Sequence, residues 1–113
     1  MIKHASEMLY QERQMRGGNG LAQTLDFLKP EEMKHCRLFS TITLRQGTSI
    51  GEHNHENETE YYWIISGEGV VTEADGEKLV KAGDLVITGD GASHAIRNDA
   101  SEPLVFLALI ILD

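Results

Sequence analysis

The segment Gly51–Gly69, GEHNHENETEYYWIISGEG, places two histidines one residue apart among Glu52, Glu56, Glu58 and Glu60, then runs into the most aromatic stretch of the chain. In an extended strand, residues i and i+2 point to one face, so His53 and His55 project together while Asn54 points away. Glu60 lies five residues beyond His55, an odd step that an unbroken strand would put on the opposite face. The intervening Glu-Asn-Glu-Thr is therefore expected to be a turn that returns the chain, after which Glu60 can face the histidines from a neighbouring strand. Glu56 and Glu58 read as solvated charges of that turn. His94 is a fourth candidate, on a strand entered through Gly-Asp-Gly-Ala-Ser, with Ala92, Ile96 and Asn98 on its face. Singly these signals are weak: a histidine between Ala92 and Ile96 is more often a core residue, and His-x-His alone is a weak metal signal.

The elements that must position these side chains are short strands. From Cys36 onward, runs rich in β-branched and aromatic residues alternate with turn signals, the pattern of an all-β sandwich or barrel. CRLFSTITLRQG is the first strand, the histidines lie on a second, and Glu60–Ile65 form a third. VVTEADGEKLV reads as a hairpin around Asp75-Gly76. KAGDLVITGDGASHAIRN supplies two more strands around a glycine-rich turn, and PLVFLALIIL a last one. That makes about eight, the number a jelly roll needs. Residues 1–35 read as an N-terminal arm of the same domain, with a short helix over Ser6–Met15, a strand in LAQTLDFL and a brief helical turn at Pro30-Glu31-Glu32. Residues 36–113 read as the barrel. RGGNGLAQT lacks both the Gly-Lys-Ser/Thr ending of a phosphate loop and the spacing of a dinucleotide fingerprint, so it reads as a turn and no organic cofactor is indicated.

The two histidine segments resemble the paired motifs of the cupin superfamily. Gly47, His53, His55, Glu60 and Gly67 fall on the first motif; Gly83, Gly91, His94 and Asn98 fall on the second, with Gly89 where the family usually has proline. The resemblance implies a double-stranded β-helix, a jelly-roll barrel, and a six-coordinate metal inside it bound by His53, His55, Glu60 and His94. Three imidazoles and a carboxylate suit Mn, Fe, Co, Ni, Cu or Zn, and no thiolate forces a soft metal. Such an ion, six-coordinate, keeps about two positions for water or ligand.

Around that centre, alternation puts Glu60, Tyr62 and Ile64 on the metal side, so the Tyr62 hydroxyl could reach a metal-bound ligand or water, and few other acid or base groups are assured on the inner face. Tyr61, Trp63 and Ile65 make the outer face apolar too, as Val105, Leu107, Leu109 and Ile111 do on the last strand. That face is expected to be covered by another sheet or a second copy, and a homodimer is the expectation. A divalent ion with one carboxylate carries about one net positive charge, which favours a small anionic or enolic ligand held through two oxygens. Arg37 or Arg45 would help hold an anion if the odd-numbered set of the first strand faces inward. The expected function is a metal-dependent enzyme such as a dioxygenase, decarboxylase or isomerase, with a non-catalytic binding or sensing module for a carboxylate or sugar as the alternative. The formal charge of −8 disfavours nucleic acid and anionic membranes as partners. The lone Cys36, expected to be a buried inert thiol, and the lack of a signal-peptide pattern after Met1 fit a cytoplasmic protein.

Overall fold

The computed structural model describes all 113 residues. Ten strands form two facing sheets: β1 (Leu9–Arg13), β2 (Ala22–Asp26), β3 (Cys36–Leu44), β4 (Ser49–Asn54), β5 (Glu58–Ser66), β6 (Glu68–Glu73), β7 (Gly76–Lys81), β8 (Leu85–Gly89), β9 (Ser93–Arg97) and β10 (Leu104–Leu112). One sheet has the order β1-β2-β3-β10-β5-β8 and the other β4-β9-β6-β7. This is the jelly-roll arrangement, all-β, with the two sheets not joined by hydrogen bonds into a closed barrel.

Period-two alternation decides what lies between the sheets. Ile42, Leu44, Ile64, Leu104 and Phe106 point inward from the larger sheet and meet Ile50, Val71 and Ile96 of the smaller one. Each such side chain contributes about 1.5–3 kcal/mol by leaving water. The even-numbered residues of β3 are the inward set, Ser40, Ile42 and Leu44 among them. The hairpin between β6 and β7 is present one residue earlier than expected, with Glu73 opposite Gly76 and Ala74-Asp75 as its loop. Asn98 shapes the turn before β10: its side-chain amide donates to the carbonyls of Leu44 (2.9 Å) and Glu102 (2.8 Å), and its side-chain oxygen accepts from the Ala100 amide.

The arm differs from expectation. Over Ser6–Met15 the helix is only a 3₁₀ turn at Ala5–Glu7, and β1 follows. A ten-residue helix is marginal in water, whereas β2 offers a free edge on which Leu9 to Arg13 pair residue by residue with Asp26 to Ala22. The strand expected in LAQTLDFL is β2, which pairs with β3, and Pro30–Glu32 is a 3₁₀ turn. Two glycines press the next segment onto β4. A Cβ on Gly18 would lie 2.1 Å from the Ser49 carbonyl oxygen and one on Gly51 2.0 Å from that of Arg16, so only bare backbone permits this approach.

Cys36 is free and half-buried rather than buried. No second sheet covers the outer face of the six-stranded sheet, where Trp63 (48 % exposed), Ile65 (42 %), Leu85 (53 %) and Ile87 (58 %) face solvent.

Candidate metal centre

Three segments deliver the four side chains expected to meet. His53 lies near the end of β4, directly opposite His94 of β9 in the antiparallel ladder. His55 follows the strand end, and its backbone is held on both sides: its amide donates to the Ala92 carbonyl (3.0 Å) and its carbonyl accepts from the Gly91 amide (2.8 Å). Those bonds, with the Ala92 amide donating to the Gly89 carbonyl at 3.0 Å, pin the turn in which glycine replaces the usual proline. Glu60 enters from β5, in the other sheet.

All four ligand atoms lie within 4.8 Å of one another. His94 Nε2 is 3.1 Å from His55 Nε2, 3.1 Å from His53 Nε2 and 2.9 Å from Glu60 Oε1. His55 Nε2 is 2.9 Å and His53 Nε2 3.6 Å from the same oxygen. Ligands about 2.1 Å from a shared ion, at right angles to one another, would stand roughly 3 Å apart. The spacing fits a cation at the centre.

The far side of each ring strengthens that fit. His53 Nδ1 donates to the Gly51 carbonyl (2.7 Å) and His55 Nδ1 to the Glu58 carboxylate (2.5 Å), both partners that only accept. In the neutral rings Nε2 is then a bare lone pair. His94 Nδ1 lies 2.9 Å from Thr88 Oγ1, a hydroxyl able to give or take the proton. Two lone pairs and a buried carboxylate aimed at one point repel unless a cation sits among them. Outer partners of this kind orient metal-bound histidines.

Glu58 corrects the sequence reading. Only Asn57, with φ of 59°, and its neighbour Glu56 make the turn, and β5 already begins at Glu58. Glu58 is 8 % exposed; besides His55 it accepts two bonds of 2.6 Å from Arg37. It stands two residues before Glu60 on one strand, so parity alone could have placed it beside the histidines. Glu56 is exposed, as expected of a turn charge.

The cupin-domain family model matches residues 40–110. The chain belongs to the cupin family. This cupin is 40% identical over 114 residues, 99% of its length and 94% of the relative's, to an oxalate-binding protein of Thermotoga maritima. A crystal structure from the same organism, described as a predicted oxalate decarboxylase, superposes with a TM-score of 0.92 at 40% identity over 100% of both chains. A Klebsiella pneumoniae protein with a double-stranded β-helix domain shares the fold at 23% identity, with a TM-score of 0.73 over 98% of this cupin and 89% of that chain.

Above the ligands, the cupin has a cavity of about 350 Å³. His53, His55 and Glu60 line it on one side, and Arg13 to Arg16 of the arm, with Arg37, line it on the other. Tyr62 is buried against it, its ring stacked on His94 with centroids 5.0 Å apart and planes 16° from parallel. Burial first, then the negative charge of Glu60, pushes the Tyr62 phenol well above its ordinary range, so it stays protonated. Arg37 is the arginine of the expected pair that reaches the cavity; it does so from the rim, bound to Glu58.

Burial by itself would raise the Glu60 carboxyl, but once the metal-free histidines take up protons, hydrogen bonding to His53 and His94 and the charges of His94 and His55 outweigh it and hold the group at about 2. Arg37, ahead of His55, holds Glu58 at about 2 as well. Burial lowers His94 below 6.5, against the pull of Glu60. Between its folded and unfolded values His94 binds more protons unfolded, and so do both glutamates between about 2 and 4.5; stability therefore rises with pH in both windows. The metal-free protein is expected to keep its full stability above pH 6.5, weaken as pH falls below it, and weaken again from pH 4.5 toward 2. Urea melts at stepped pH check this; a midpoint that stays flat from pH 7 to 3 would contradict it.

Proposed function

We propose that this cupin binds a small dicarboxylate of the oxalate class on a divalent metal held by His53, His55, Glu60 and His94. The observation that carries the reading is the convergence of two imidazole lone pairs and a buried carboxylate beneath an arginine-lined cavity. A metal bound there would supply positive charge and Lewis acidity toward carboxylate oxygens. The protein's own part is to fix the ligand set, exclude water through the apolar wall of Ile42, Ile50 and Ile110, and hold the anion. The oxalate-binding relative supports the ligand class. Calorimetric titration of Mn-loaded protein with oxalate is expected to give one saturable site per chain, and none after chelation. Absence of heat with oxalate and with other short dicarboxylates would end this reading.

A second reading, metal-dependent turnover such as decarboxylation, is favoured by Tyr62. It is a buried phenol that keeps its proton beside the ligand carboxylate, placed to donate to a substrate oxygen. Formate and CO₂ release from oxalate, lost in Tyr62→Phe with oxalate binding retained, would select turnover over binding alone.

The exposed apolar face around Trp63, Ile65, Leu85 and Ile87 is far larger in side chains than isolated surface leucines require. Its occupant in this proposal is a second copy, since both faces of β10 are apolar along its length and the outward Tyr61, Trp63 and Ile65 continue that surface on β5. Light scattering is expected to give twice the chain mass at micromolar concentration; a monomer there, unchanged in mass by Trp63→Glu, rules the dimer out.

A further inference from the structure

The arm is part of the ligand site. We propose that Arg16 is the anion-recognising side chain of the cavity, taking the outward carboxylate oxygens of a dicarboxylate whose other oxygens face the metal ligands. The inference rests on the oxalate-class reading above and deepens it by naming the residue that selects for a second negative group.

Three arginines line the cavity, but they are not equivalent. Arg37 is occupied, its Nε and Nη2 both committed to Glu58. Arg13 and Arg16 enter none of the protein's ion pairs, although the chain carries an excess of eight negative charges from which partners could have been drawn. The Arg16 side chain is exposed, but its backbone is held in place. Its φ is 54°, a left-handed backbone that a long side chain rarely adopts and that persists where surrounding contacts over-determine it.

The Met15 carbonyl accepts from the amides of Gly18 (3.0 Å) and Gly51 (3.2 Å), Met15 bridges to Ile50, and bare glycines at 18 and 51 let the two backbones touch. The clamp grips β4 two residues before His53. It therefore ties Arg16 to the strand that carries a metal ligand.

Charge and shape agree on the ligand. A divalent ion with Glu60 leaves one positive charge, and the unpaired Arg16 and Arg13 add two more, so the cavity favours a dianion over a singly charged chelator. A planar guanidinium matches two carboxylate oxygens with two parallel N–H bonds. A chelator with no outward oxygens would gain nothing from it.

The experiment compares oxalate with acetylacetone, a two-oxygen chelator with only C–H groups facing outward, by calorimetry on Mn-loaded wild type, Arg16→Gln and Arg16→Lys, with metal content measured for each. Arg16→Gln is expected to weaken oxalate roughly 10- to 100-fold, the scale of a charged hydrogen bond, to leave acetylacetone within about 2-fold, and to keep its manganese; Arg16→Lys is expected to restore part of the oxalate affinity. Unchanged oxalate affinity in Arg16→Gln overturns the inference and leaves the oxalate-class reading standing. Equal losses for both chelators, or loss of manganese, also overturn it, since Arg16 would then shape the site rather than read the anion. A wild type that binds no dicarboxylate overturns both.

Discussion

Alanine at His94 is expected to leave the purified protein without metal while the β-sandwich remains folded. His94 is the hub of the centre: its Nε2 stands within 3.1 Å of both other imidazoles and 2.9 Å from Glu60. It is also the one ligand on β9, so no neighbour can swing in to replace it. Loss of an outer partner of a metal ligand typically lowers affinity about 10–100-fold, and loss of a direct ligand should exceed that. The affinity for Mn or Zn is expected to fall by at least about 100-fold, with elemental analysis near background after dialysis against a weak chelator. The ring also stacks on Tyr62, so the variant loses packing, and circular dichroism must show that the sheets survive. A folded His94→Ala protein with wild-type metal content would mean the four side chains do not form the centre.

How far the sequence reveals this arrangement depends on the range of the interaction involved. His53, His55, Glu60 and His94 are each candidates from local parity and spacing, but singly those signals are weak and it is the resemblance to the paired cupin motifs that groups them; the apolar rows of β5 and β10 follow from alternation alone. Glu58 escapes a sequence reading that extends the turn over Glu56–Thr59, two residues too far; with β5 beginning at Glu58, parity puts Glu58, Glu60 and Tyr62 on one face. The arm was less accessible for a different reason. Residues Leu9 to Arg13 have no strong preference of their own and become a strand by pairing with β2, which itself pairs with β3. Their conformation is a tertiary outcome. The placement of Arg16 over the cavity depends likewise on Gly18 and Gly51 meeting across 33 positions of sequence, a contact that no window of local pattern contains.

Glu58→Gln separates an orienting role from a merely charged surface. The chain of contacts runs from Arg37 through the Glu58 carboxylate to His55 Nδ1, with distances of 2.6 and 2.5 Å. A carboxylate there fixes the proton on Nδ1 and makes Nε2 a better donor to a metal. Glutamine can still accept one bond through its oxygen, but it brings no charge and leaves the Arg37 fork half-matched. Metal affinity is expected to drop about 10–100-fold, while Glu56→Gln, the same change on an exposed turn residue two positions away, is expected to stay within about 2-fold. Arg37→Gln should fall between them, because Arg37 is 43% exposed and water can partly take its place beside Glu58. Competition titrations with a chromogenic chelator would rank the three. If Glu58→Gln and Glu56→Gln bind metal equally well, the Glu58–His55 contact contributes nothing to the centre, and the Nδ1 proton of His55 must be held by other means.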